Sequence, residues 1–158
     1  IIYLDQVNRT SHIITTSFRV GDRRPIHINS IGRVIMAFLP EPDLQKILNG
    51  ISFDQHPSKS FRNKTDLMKK LAKIRKQGYF AGTSESFDDI YSLAVPVLDY
   101  QRKAVAGINI VIPMSRVSMD DIRARYIPLL METGRKLSRD LGNTDVKRPM
   151  KPTTKKER

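Results

Sequence analysis

The sequence predicts an α+β domain built on a central antiparallel sheet with helices packed against it. Three observations lead there. Residues 91–99, "YSLAVPVLD", and 104–112, "AVAGINIVI", are strand-like runs joined by the four residues "YQRK", which is a hairpin. Leu67, Leu71 and Ile74 recur at helical spacing between a capping Asn63 and a terminating Gly78. A second amphipathic helix begins at the capping Ser118 and runs to about Leu141, with Gly142 as its stop.

Taken in order, "IIYLDQV" and "HIITTSF" are rich in β-branched and aromatic residues, and "NRTS" between them suggests a first hairpin. After "RVGDRRP" comes a helix over residues 30–39, ended by Pro40. Ile31, Ile35 and Phe38 form one stripe, while Val34, Met36 and Leu39 lie elsewhere, so this helix must be covered on more than one side. "PDLQKILNG" is a short helix closed at Gly50, and residues 51–63 form a loop. The helix from Asn63 to Gly78 leads into a short strand and turn, "YFAGTSES", and then the hairpin. Within the last helix, Pro128 should kink or restart the chain.

With 158 residues the chain is most simply one domain with a tail. It has no Cys, and His12, His27 and His56 show no zinc spacing, so a thiolate or zinc site is not expected and all three histidines read as surface or hydrogen-bonded side chains. No apolar run is long enough to span a bilayer, and no basic leader precedes an apolar core, which makes a cytoplasmic protein without membrane partners the expectation. The start at Ile1, inside a strand-like run, suggests that an amino-terminal part is missing. The net charge is +12, of which residues 143–158 contribute +4 through six Lys/Arg and two acids. That segment has the composition of a disordered basic tail. Lys69, Lys70, Lys73 and Lys76 fall on a polar helix face, without the interleaved aromatic residues of a single-strand binding platform. No G-x-S-x-G, G-x-x-x-x-G-K-[ST] or H-E-x-x-H motif occurs. The acidic cluster Glu85, Asp88 and Asp89 reads as a solvated turn.

Strand alternation sorts the hairpin into two faces. Leu93, Val95 and Val97, with Ala106, Ile108, Ile110 and Ile112, make a bulky apolar side. Ser92, Ala94 and Pro96, with Val105, Gly107, Asn109 and Val111, make a smaller and more polar one. If the 30–39 helix covers the small face, either a cavity forms near Ser92 and Asn109 or the helix simply approaches closely. The helix start poses a second question, because Arg33 places positive charge at the electropositive end of the helix. One account is an anion bound by the free amides of Ser30, Ile31 and Gly32, the missing side chain at Gly32 permitting close approach. The other is that Asn29 or Ser30 caps the helix and Arg33 pairs with a surface acid.

"GDRRPIHINSIGRVIMAFLP" resembles the signature of the effector-binding domain of IclR-type bacterial transcription regulators. The likeness continues through "LMKKLAKIRKQGYFAGTSES", "YSLAVPVLDYQRKAVAGINIVIP" and the last helix, covering roughly residues 1–142. It implies a GAF-like fold, a curved antiparallel sheet flanked by helices, and a preceding winged helix-turn-helix domain absent here. It also implies no enzyme and no cofactor, but a homo-dimer or tetramer that binds operator DNA and responds to a small carboxylate. By position, the family's effector contacts fall on Ser30 and Ile31 at the helix start, and on Gly82, Ile90, Ser92, Asn109 and Val111. At 82 some members present an acidic side chain; Gly82 implies different hydrogen bonding on that side or a larger cavity. Arg33 is similar to members that respond to aromatic-pathway metabolites. Alternative roles are a ligand-free dimerisation module or a small-molecule enzyme.

Overall fold

The computed structural model describes residues 1–7, 19–54, 58, 61–85 and 88–144. Three helices come first: α1 (Ser30–Ala37), α2 (Glu41–Asn49) and α3 (Lys64–Gln77). The sheet follows as β1 (Phe80–Thr83), β2 (Ile90–Leu98) and β3 (Ala104–Pro113), then α4 (Met119–Asp121), a π-helical turn (Ile122–Tyr126) and α5 (Ile127–Asp140). The strands lie in the order β1-β2-β3, both pairs antiparallel. This is the α+β architecture that the hairpin and the helical periods predict.

Register carries the two-faced pattern across the sheet. Ser92 stands opposite Val111, Ala94 opposite Asn109 and Pro96 opposite Gly107, so the small residues share one face. Leu93 faces Ile110 and Val95 faces Ile108 on the other. The bulky face forms a core of Leu93, Val95 and Ile112 with Ile122 and Leu130 from the carboxy-terminal helices. The small face joins a second core, in which Ala94 meets Val34 and Met36 of α1, Leu44 and Leu48 of α2, and Leu67, Leu71 and Ile74 of α3. Pro96 is tolerated in the middle strand because β1 pairs only as far as Ala94, leaving β2 with a single neighbour there.

Two glycines let helices sit close to the sheet. A Cβ on Gly107 would lie 2.9 Å from Ile31 Cγ2 and 3.1 Å from Val34 Cγ2, and one on Gly134 of α5 would lie 2.7 Å from Val95 Cγ2. Beside that contact, Ser138 Oγ accepts from the Leu98 amide at 2.9 Å and donates to the Gly134 carbonyl at 2.7 Å, tying α5 to β2. At the end of α1, Arg75 donates to the carbonyls of Ala37 (2.5 Å) and Leu39 (2.9 Å), satisfying acceptors that the helix leaves over. Lys69, Lys70, Lys73 and Lys76 are exposed on α3.

Several expectations shift. Helix α1 stops at Ala37, three residues before Pro40, and α2 begins at Glu41 with Pro42 inside its first turn. Pro128 restarts the helix, one of the two expected outcomes: α5 begins at Ile127 with Pro128 in its first turn, after a π-helical turn in which the Ile127 amide reaches back five residues to Ile122 O. The first strand-like run meets a segment that was not expected beside it. Ile2 bridges Arg23, Tyr3 N donates to Asp22 O at 3.1 Å and Gly21 N to Tyr3 O at 2.8 Å, with Gly21 at φ +91° making the turn. The expected partner strand 12–18, with His12, His56 and residues 145–158 of the tail, lies outside the described residues.

Gly32 is filled from within. A Cβ there would stand 1.9 Å from the Ile26 carbonyl oxygen, so the open space expected for an anion is occupied by backbone. Gly32→Ala should therefore destabilise the protein by about 3 kcal/mol or more in urea unfolding. Gly50→Ala, whose Cβ meets nothing nearer than 3.5 Å, should change stability by no more than about 1 kcal/mol.

Candidate functional site

Between the start of α1 and the small face of the sheet lies a cavity of about 60 Å³. Its walls include Ser30, Ile90, Ser92, Asn109 and Val111, five of the seven positions expected to contact an effector, together with Tyr3, Ile28, Asn29, Arg33, Phe80, Thr83, Ser84 and Glu85. Both outcomes considered for the small face occur, at different ends. Gly107 draws Ile31 and Val34 into contact, while the gap opens toward Ser92 and Asn109.

The helix start is partly self-capped. Asn29 sits in extended conformation and its Oδ1 accepts from the amides of Ile31 (2.9 Å) and Gly32 (3.3 Å). Asn29 Nδ2 in turn donates to the Tyr3 hydroxyl at 2.8 Å. Ile31 is thus outside the cavity wall: its amide is engaged by Asn29 and its side chain lies on Gly107. The Ser30 amide has no hydrogen bond to a described residue, and its hydroxyl accepts from Ser92 Oγ at 2.9 Å. Gly82 lies opposite Ser92 in the register but is also outside the wall. The Phe80 ring stands 3.3 Å from where its Cβ would be, so the absent side chain does not enlarge the cavity.

Arg33 is buried, with 2% of its side chain exposed, and forms an ion pair through Nη2 with Glu85, itself 9% exposed. Its Nε donates to His27 O at 2.7 Å, and Nη2 lies 3.4 Å from Ser58 Oγ. The guanidinium carbon stands 4.9 Å from the Phe61 ring centre and 5.3 Å from that of Phe80. Burial lowers the pKa of Arg33, and the hydrogen bond and charge of Glu85 raise it again. The charge at the helix start is therefore answered from within the chain, by an enclosed carboxylate where a surface acid was expected. Glu85 is not part of a solvated turn; Asp88 and Asp89 are exposed, as expected. His27, buried and set edge-on to Phe53 and Phe61, supports this enclosure through its carbonyl.

Glu85 and Tyr3 went unseen among the candidate site residues. A lone guanidinium on an otherwise apolar helix does signal a buried acid somewhere, but not which one. Among the described residues no cluster of three His, Cys, Asp or Glu could hold a metal ion, and no helix is long and apolar enough to cross a membrane.

Residues 1–139 match the family described as bacterial transcriptional regulator IclR, C-terminal. The chain belongs to this family. A curated relative of the IclR-type domain is the Pca operon regulatory protein of Acinetobacter baylyi, 30% identical over 82% of this chain and 46% of its own length. The transcriptional regulator XynR of Escherichia coli is 30% identical over 89% of this chain and 55% of its own length. Among solved structures, that of Thermotoga maritima IclR overlays with a TM-score of 0.77 at 28% identity, covering 89% of this chain and 56% of that one. These relatives are transcription regulators, not enzymes, and the IclR-type chain spans about half the length of the curated relatives.

The cap gives a direct test of how the helix start is built. Asn29→Ala should lower stability by about 1 kcal/mol in thermal unfolding, and Asn29→Asp, which keeps the accepting oxygen, should recover most of that loss.

Proposed function

We propose that residues 1–142 are the ligand-sensing part of an IclR-type transcription regulator, and that the cavity takes a small carboxylate metabolite. The observation that carries this reading is the convergence, at one small void, of the Ser30 amide, the Ser30 and Ser92 hydroxyls, the Asn109 side chain and the Arg33 guanidinium. A carboxylate accepts hydrogen bonds only, and donors dominate here; a void with a few oriented polar groups in apolar walls is the usual form of a metabolite site.

In this proposal the effector acts on operator DNA through a winged helix-turn-helix domain preceding residue 1, in a cytoplasmic homo-dimer or tetramer. Affinity for the site is not enough. The acid must bind the DNA-competent and DNA-incompetent arrangements unequally, because only the difference shifts the equilibrium. The void sits where such a difference can arise, between α1 and the β2–β3 hairpin, with Tyr3 linking its wall to the amino-terminal segment through Asn29.

Titration calorimetry with a panel of small carboxylates, from acetate to hydroxybenzoates, tests the site. Asn109→Leu should weaken binding of the preferred acid roughly tenfold, the loss of one charge-assisted hydrogen bond. Equal affinity in both proteins removes Asn109 from the site.

A further inference from the structure

A void of about 60 Å³ holds a few waters, whereas metabolite pockets run to several hundred Å³, so an effector of more than a few atoms must displace part of the wall. Charge singles out which part. The wall contains one buried guanidinium and one buried carboxylate, Arg33 and Glu85, already paired. Adding a second carboxylate beside Glu85 would leave a net negative charge in a confined, poorly solvated space, which is strongly unfavourable. Removing Glu85 without replacement would strand the guanidinium, which is equally unfavourable. An exchange of one carboxylate for another avoids both.

The two partners stand on different parts of the fold. Arg33 rises from the regular helix α1, is fixed by the His27 carbonyl and lies against the Phe61 and Phe80 rings. Glu85 lies on the connection between Thr83, the last residue of β1, and Ile90, the first of β2. Its departure breaks no strand pairing, because the last bond of that ladder, Ser84 N to Ile90 O at 2.8 Å, precedes it.

Building on the reading of this cavity as an acid-sensing site, we propose that Glu85 is a resident competitor: its carboxylate holds the anion position at Arg33, and the effector binds by taking that position over and displacing the Glu85 side chain. Asp89, four residues on, is tied to the end of β3, where Met114 N donates to Asp89 O at 2.8 Å. Exchange at Arg33 thus bears on the chain leading into α4. The device makes the ligand-free domain its own closed state, and sets the effector's affinity by the difference between two carboxylates on one guanidinium.

Rescue by exogenous acid is the test. Glu85→Ala should melt below the wild type in chloride, and propionate at equal ionic strength should raise its melting temperature by several degrees more than that of the wild type. Propionamide, of the same shape without charge, should raise neither, and in Glu85→Ala combined with Arg33→Met the propionate effect should vanish. If Glu85→Ala folds only when propionate is present, the proposal is supported in its strongest form. The isosteric Glu85→Gln, which keeps the packing, should bind propionate roughly tenfold more tightly than the wild type in calorimetry. Equal propionate shifts in Glu85→Ala and wild type, or no gain in affinity for Glu85→Gln, overturn the exchange while leaving the sensing site standing. Unchanged acid binding by Asn109→Leu strikes the proposed site geometry and leaves the exchange at Arg33 untouched.

Discussion

A guanidinium enclosed by protein must keep an anion beside it, and the architecture around Arg33 follows from that requirement. Helix α1 brings the charge into a core made by three helices and the small face of the sheet. The chain then supplies Glu85 from beyond β1, the His27 carbonyl from before the helix, and the rings of Phe61 and Phe80 as polarisable walls. Loop, strand end and helix start are thereby held at one point. The cavity is the space left beside that assembly.

The sheet explains why the space is there. Its bulky face is consumed by α5, whose Gly134 allows contact with Val95, while its small face must accept a helix with apolar residues almost all round. Close approach succeeds at Gly107. Further along the same face, Ser92 and Asn109 present short polar side chains opposite the helix start, where α1 places the small Ser30. Packing density falls where both partners are small, and the polar atoms that line the gap are those able to orient a ligand.

Much of this site was legible in the sequence. Period-two alternation put Ser92, Asn109 and Val111 on one face of the hairpin, and the apolar run with Asn29-Ser30 before it located the helix start. Ile31 was placed by the helix start as well as by resemblance, Gly82 by resemblance alone, and both stand outside the wall for local reasons: the Asn29 side chain turns onto the Ile31 amide, and the Phe80 ring covers Gly82. The contact of Ile2 and Tyr3 with Arg23 and Asp22 shows the same limit, a pairing that strand propensity alone does not select.

By itself the sequence determined where the helices lie, the β2–β3 hairpin and its two faces, because these rest on interactions between residues a few positions apart, which leave a period in the chain. Tertiary structure alone decided that Arg33 meets Glu85, 52 residues away, and that the void measures about 60 Å³. A buried charge accepts its partner from anywhere along the chain, and a void is the small difference between large packed volumes. Neither leaves a periodic mark to read.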